Sequence, residues 1–304
     1  MIVTAVEDAF KHTVPLPTQT SSVGPVPTVI PGDQPIVLQI HDTGKRTLWV
    51  VVVLMAISSL AFYFLAARVR VQHRLLHTLT ALITTISFLS YLAMATGEGV
   101  TYKHSVNHQA HQHVPDTYQE ILRQIFWVRY VNWILTTPLI LINIALIGGL
   151  NGANLLAAIA ADLAMFAAGL AATFARYERR WLWYAIVCIS FLTVGYQAGV
   201  NGARSVRQGS DRHRALFTSF TGANLLVFVL YPIILAASPL SHRISVDAET
   251  VAWAIHDILT QGLFGYWLLV GHDSSETGQL FVDGFWSHGI NHEGAIRVGE
   301  NEGA

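Results

Sequence analysis

Charge is in short supply in this chain. Only 12% of its 304 residues are charged and 52% are hydrophobic, whereas a soluble domain averages about 25% charged residues. That deficit argues against an ordinary soluble globule and for a bilayer protein. Lysine is almost missing: Lys11, Lys45 and Lys103 are the complete set, and all three lie outside the long apolar stretches. No lysine amine is therefore available at bilayer depth for imine chemistry. Cysteine occurs once, as Cys188, which excludes an intramolecular disulfide; it reads as a small buried hydrophobe. There is no Asn-x-Ser/Thr sequon, internal repeat, phosphate loop, zinc-protease motif or serine-hydrolase elbow, so neither N-glycosylation nor enzyme activity is expected. The net charge of −1 is spread along the chain, which gives no nucleic-acid signal.

What the chain does have is apolar runs. Stretches long enough to cross a bilayer lie at 47–67, 75–97, 123–147, 153–174, 181–200, 215–238 and 247–270. Backbone groups in lipid must be satisfied within the segment, so each run is expected to be a helix. The alternation of a membrane barrel is absent. The expected fold is all-α, a bundle of seven transmembrane helices. Residues 1–46, rich in Pro, Thr, Ser and Val, are expected to be a disordered extracellular tail. They lack the basic start and short apolar core of a signal peptide. Residues 271–304 are expected to be a cytoplasmic tail. With the N-terminus outside, seven basic residues fall inside and eight outside, so the positive-inside rule does not fix the orientation.

Ionisable residues at bilayer depth are costly and are candidates for function. They are Arg129 in span three, Asp162 in span four, and Asp257, beside His256, in span seven; Glu249 lies near the start of span seven. Span three reads Arg129-Tyr130-Val131-Asn132-Trp133-Ile134-Leu135-Thr136-Thr137-Pro138. Helical geometry puts Arg129, Asn132 and Trp133 on one face. Asn143 lies eleven residues past Asn132; eleven steps of about 100° return to within about 20° of the start, roughly 16 Å along the axis. Two amides thus line one face at different depths. Pro138 frees a carbonyl that Thr136 or Thr137 is placed to satisfy; the plainer reading is a kinked helix with small polar packing residues. In span seven, Asp257 and Gln261 are one turn apart on one face. A buried carboxylate needs a partner, and Arg129 is the strongly basic residue at that depth, so the two are expected to face each other. Neighbouring helical residues diverge by about 100°, so His256 is expected to pack elsewhere, with a role as pH-sensitive partner of Asp257 the lesser alternative.

These residues resemble the microbial rhodopsin family across all seven helices. Arg129-Tyr130-x-Asn132-Trp133-x-x-Thr136-Thr137-Pro138 is similar to that family's third-helix signature, and Tyr231-Pro232 to its sixth-helix Tyr-Pro. The resemblance implies roles position by position. Asn132 stands where pumps have the aspartate proton acceptor and Asn143 where they have a carboxylate donor. Asp257 matches the seventh-helix counterion, Tyr91 a second-helix tyrosine, and Glu249 an outer-surface proton-release carboxylate. Asp162, Met165 and Gly169 are similar to the residues around the retinal ring. Gln261 falls where the family has its retinal lysine. Phe228 and Leu235 stand where the family has tryptophans. The segments His113-Val114-Pro115-Asp116-Thr117 and Phe285-Trp286-Ser287-His288-Gly289 look fungal, and fungi also have opsin-related proteins without the lysine.

Several expectations follow. The resemblance implies a pocket lined by Tyr91, Trp133, Thr136, Thr137, Asp162, Met165, Gly169, Trp183, Tyr184, Phe228, Tyr231 and Pro232, either filled by side chains or open to retinal or another apolar ligand held without a covalent bond. Loss of one cation at Gln261 and one anion at Asn132 leaves Arg129 and Asp257 as a neutral pair, and lets the two amides bond directly or through water. Amides do not titrate, so light-driven proton pumping is not expected. The expected function is non-enzymatic, in sensing, stress response or membrane-protein support. A photoreceptor or ion channel using a non-covalent chromophore or ligand is the alternative; a G-protein-coupled receptor has only the helix count in its favour. The resemblance points to the plasma membrane and to a dimer or trimer. His104, His108, His111 and His113 are more simply a solvated loop than a zinc site completed by Asp116, and Asp162 is expected to be a protonated or hydrogen-bonded core carboxyl.

Overall fold

The computed structural model describes residues 35–70, 74–109, 117–206 and 211–273. The fold is a seven-helix bundle. Helix α1 spans Asp42–Arg68, α2 Leu75–Ala95, α3 Trp127–Gly148 and α4 Gly152–Phe174. Helix α5 runs over Tyr177–Ser205 with a π-helical stretch at Tyr196–Asn201. Helix α6 comprises Asp211–Phe228, Leu230–Leu235 and a π-helical end, Ala236–Leu240. Helix α7 comprises Val246–Asp257, the π-helical Ile258–Leu263 and Phe264–Asp273. Six of these helices contain runs long and apolar enough to cross a bilayer, the interrupted α7 being the exception. The 27 residues of α1 reach about 40 Å at 1.5 Å per residue, more than a hydrocarbon core of about 30 Å.

Local chemistry sets the helix ends. Asn151 caps α4 by accepting from the backbone N–H of Ala153 at 2.7 Å and of Asn154 at 3.2 Å, and Ser245 caps α7 through the N–H of Ala248 at 3.2 Å. Gly149 closes α3 in a left-handed conformation, φ 62°, where a side chain would be strained. Within the helices, Thr80, Thr84 and Thr250 turn their hydroxyls onto carbonyls one turn back, which satisfies polar groups where no water is at hand. Sequential helices pack side by side and α7 returns to α1 and α2. Large apolar side chains such as Leu60, Leu226 and Val270 face outward, as a lipid-facing surface requires.

The all-helical expectation misses one feature. Between α2 and α3 the chain forms two ten-residue strands, β2 (Val100–Gln109) and β3 (Thr117–Phe126). With the short β1 (Ile36–Leu38) they make a sheet of order β1-β3-β2. Span three was expected to begin at 123, but β3 continues through Phe126; a hydropathy window counts Ile125 and Phe126 the same way in either geometry.

Two compact units divide the chain. One, Val37–His104 with Leu122–Ala304, carries every helix described above. The other, Met1–Ile36 with Ser105–Ile121, includes residues 105–109 of β2 and 117–121 of β3; within it the Ser105 hydroxyl donates to the Ile121 carbonyl at 3.4 Å. Most of both tails, the fungal-looking segments, His111, His113 and Asp116, and the side chain of His108 lie outside the described residues. Among the described residues no three His, Cys, Asp or Glu side chains are grouped to hold a metal.

Candidate functional site

Helices α3 and α7 supply the site. On α3, Arg129, Asn132, Trp133, Thr136, Thr137 and Asn143 are all buried. On α7, Trp253, Asp257 and Gln261 follow one another at four-residue spacing, and all are buried, as one helical face requires. Gln261 lies inside the π-helical stretch Ile258–Leu263, a widening that recurs at functional sites.

Asp257 is the centre of the polar network. Its Oδ2 accepts from the Tyr91 hydroxyl at 2.6 Å. Its Oδ1 accepts from Trp133 Nε1 at 2.8 Å and, at 3.5 Å, from Gln261 Nε2. His256 Nδ1 lies 3.1 Å from the same oxygen. The two amides meet directly: Asn132 Nδ2 donates to Gln261 Oε1 at 3.2 Å. Asn143 stands deeper on α3, its Oδ1 buried without a partner. A cavity of about 10 Å³, lined in part by Thr80, Asn143, Thr260 and Gln261, separates the two levels; that is roughly the space of one water.

The expected Arg129–Asp257 pair is corrected. Arg129 reaches Glu249 instead, Nη1 to Oε1 at 3.6 Å, and no ion pair joins it to Asp257 among the described residues. Glu249 is also held by Arg123 at 2.7 Å and by the Ser238 hydroxyl. Arg123 further donates to the Ser238 hydroxyl at 2.6 Å. Arg123 and Arg129 are both buried, so one carboxylate serves two guanidiniums. The buried role of Arg123 follows from β3, which brings it inward just before α3 begins.

Other placements also differ from expectation. His256, expected to diverge from Asp257, turns its ring back within hydrogen-bonding range, because both side chains are long enough to close the angle between their Cβ directions. Trp183 is exposed and Tyr184 part-buried: it is Tyr184 that packs on the core, donating to the Pro232 carbonyl at 3.2 Å. Thr136 donates to the Asn132 carbonyl at 2.8 Å, rather than to the Ile134 carbonyl that Pro138 frees. Asp162 is buried with neither oxygen hydrogen-bonded.

Aromatic side chains pack above this network. Trp133 meets Trp253 at 4.5 Å between ring centroids, Tyr231 at 5.3 Å and Phe166 at 5.5 Å. The His256 ring lies 5.7 Å from Phe228, 5.8 Å from Trp253 and 6.4 Å from Trp133. Met165 and Leu235 complete the packing. Gly169 is required here, since a Cβ would collide with the Tyr231 hydroxyl. Trp253, Phe166 and His256 were not among the expected lining residues; Trp253 sits one turn before Asp257 on the face already identified, which was the available signal.

A second group of cations lies outside the membrane helices. Lys103, on β2, donates to the carbonyls of Thr173 at 2.5 Å and Ala175 at 3.0 Å, closing the end of α4. Burial, with Arg180 nearby, pushes its ammonium down to about 8. Burial pushes the His242 imidazole down to about 4, with Arg123, Arg180 and Lys103 adding to the shift and Glu249 opposing it. His242 also has a left-handed backbone, φ 56°.

Residues 43–274 match the family model described as bacteriorhodopsin-like protein. The chain belongs to that family. The resemblance read from the third- and sixth-helix motifs therefore holds, and fungal relatives agree with it. Opsin-1 of Neurospora crassa is 40% identical over 294 residues, 95% of this chain and 96% of that protein. The opsin-like protein carO of Fusarium fujikuroi is 30% identical, over 80% of this chain and 78% of the other. Among solved structures, the light-driven proton pump LR (Mac) from Leptosphaeria maculans is 41% identical with a TM-score of 0.76, covering 79% of this bacteriorhodopsin-like chain and 98% of the pump.

Proposed function

We propose that this chain is an opsin-related membrane protein that forms no retinal Schiff base and does not pump protons. Family members bind retinal through a lysine. In our reading Gln261 occupies that position, and its amide is engaged with Asn132 at 3.2 Å; this observation carries the proposal. An amide nitrogen is not a nucleophile for a carbonyl, and among the described residues no lysine lies deeper than the first turn of a membrane helix. The ring contacts of Trp133, Trp253, Phe228 and His256 further support an interior occupied by the chain's own side chains. These residues do not fit a covalently bound retinal. Asn132 and Asn143, read as the acceptor and donor positions, cannot exchange protons.

The role we assign is non-enzymatic, in sensing or stress response, at the plasma membrane with the N-terminus outside. The test is an absorption spectrum of the purified protein after incubation with all-trans-retinal. Free retinal alone is expected. A red-shifted band that survives borohydride trapping as a covalent adduct overturns the proposal. A second reading, a conductor of ions or water, draws on the polar line Asn143, cavity, Gln261, Asn132. Liposome flux above that of empty vesicles would favour it.

A further inference from the structure

We propose that His256 and Asp257 form a buried proton-binding pair that makes the core of the bundle responsive to pH. The inference rests on the reading that Gln261 supplies no cation here. Asp257 is fully buried, and its contacts from Tyr91, Trp133 and Gln261 come from uncharged groups. Trp133 Nε1 can only donate, so Asp257 meets it as an acceptor. The nearby guanidinium of Arg129 is directed to Glu249. Among the described residues, the titratable cation in contact with Asp257 is His256, Nδ1 to Oδ1 at 3.1 Å.

The geometry defines two states. With His256 neutral, Nδ1–H donates to Asp257 and the other ring nitrogen, Nε2, is left buried without a partner. Uptake of one proton at Nε2 turns the hydrogen bond into an ion pair. The proton belongs to the coupled pair rather than to either residue. The imidazole lies against Phe228, Trp253 and Trp133, so a charge there is felt by α3, α6 and α7 together. Of the other titratable groups, Tyr91 from α2 touches the pair directly; Tyr231 from α6 lies one ring away, against Trp253, and Asp162 from α4 lies near Tyr231. Arg129 from α3 is the nearby fixed charge.

The test is a pH titration of the retinal-free protein in nanodiscs, with isotope-labelled histidine followed by NMR. His256→Asn identifies the signal by its loss. That signal is expected to change as the pH is varied. Asp257→Asn should move its midpoint to lower pH by roughly a unit, about a tenfold loss in proton affinity. Tyr91→Phe removes a donor from the carboxylate and should move the midpoint the other way, which keeps the test open if Asp257→Asn does not fold. A signal fixed in one protonation state across the range, or a midpoint indifferent to both variants, overturns the proposal. Retinal addition with borohydride to a parallel sample reports separately on the Schiff-base reading.

Discussion

The Glu249 end of the bundle and its centre handle buried polarity in opposite ways. At the Glu249 end, two buried guanidiniums converge on one carboxylate, with the Ser238 hydroxyl completing the cluster. At the centre, two amides bond to each other and a carboxylate is held by uncharged donors. Full charges buried together are strongly interdependent, since removing one strands the rest. Neutral partners are less so: each lost bond costs only the desolvation of the group left behind. The difference says where the bundle is brittle and where its sequence is free to drift.

Glu249→Ala should have the largest effect. It leaves Arg123 and Arg129 buried without their shared anion, and breaking a buried pair typically costs about 3–5 kcal/mol. The thermal midpoint of the purified protein should fall by many degrees, and Arg123→Met, which leaves Glu249 with Arg129 and Ser238, should cause a smaller fall. Retention of the wild-type midpoint in Glu249→Ala would mean that water reaches the cluster, and the contrast with the centre would collapse.

The amide pair offers a gentler comparison. Asn132→Leu or Gln261→Leu strands one buried amide and should cost about 1–3 kcal/mol. The double change replaces both partners with apolar groups of similar size and should be milder than the sum of the singles. A double-mutant cycle in thermal stability checks this. Strict additivity would show that the 3.2 Å contact carries no coupling. The complementary change, Gln261→Lys with Asn132→Asp, should colour the protein with retinal if the aromatic interior can open.

Most of the architecture was legible because bilayer physics leaves few options. Apolar run length placed seven helices within a few residues, and four-residue spacing placed Asp257 and Gln261 on one face. The amide–amide contact was also legible, since both side chains lie on inward faces of facing helices. The pairing of β2 with β3 was not: the strands carry Thr, Tyr, Val and Ile among polar residues, without a long apolar run to mark them. The partner of Arg129 was missed for a different reason. Choosing between Asp257 and Glu249 depends on depth along α7 and on the arrival of Arg123 from β3, and one-dimensional spacing contains neither. Trp183 and Tyr184 show the limit of carrying a pocket over by resemblance: Tyr184 packs on the core while Trp183 is exposed.

The smallest predicted effect lies outside the membrane helices, where cations are buried with little compensating charge. Lys103 is lowered to about 8 from an ordinary 10.5. Between those values the unfolded chain binds more protons than the folded one, so stability should rise as pH increases through that window. His242 is lowered to about 4 from 6.5, and the same sign applies: stability should rise from about pH 4 to 6.5. Thermal midpoints measured across pH should therefore climb in two shallow steps, with Lys103→Met flattening the alkaline one and His242→Asn the acidic one. Asparagine also tolerates the left-handed backbone at 242, so His242→Asn should not lower the midpoint at neutral pH. If instead both slopes survive the substitutions, the pH response originates in the core, and the His256–Asp257 pair becomes the first place to look for it.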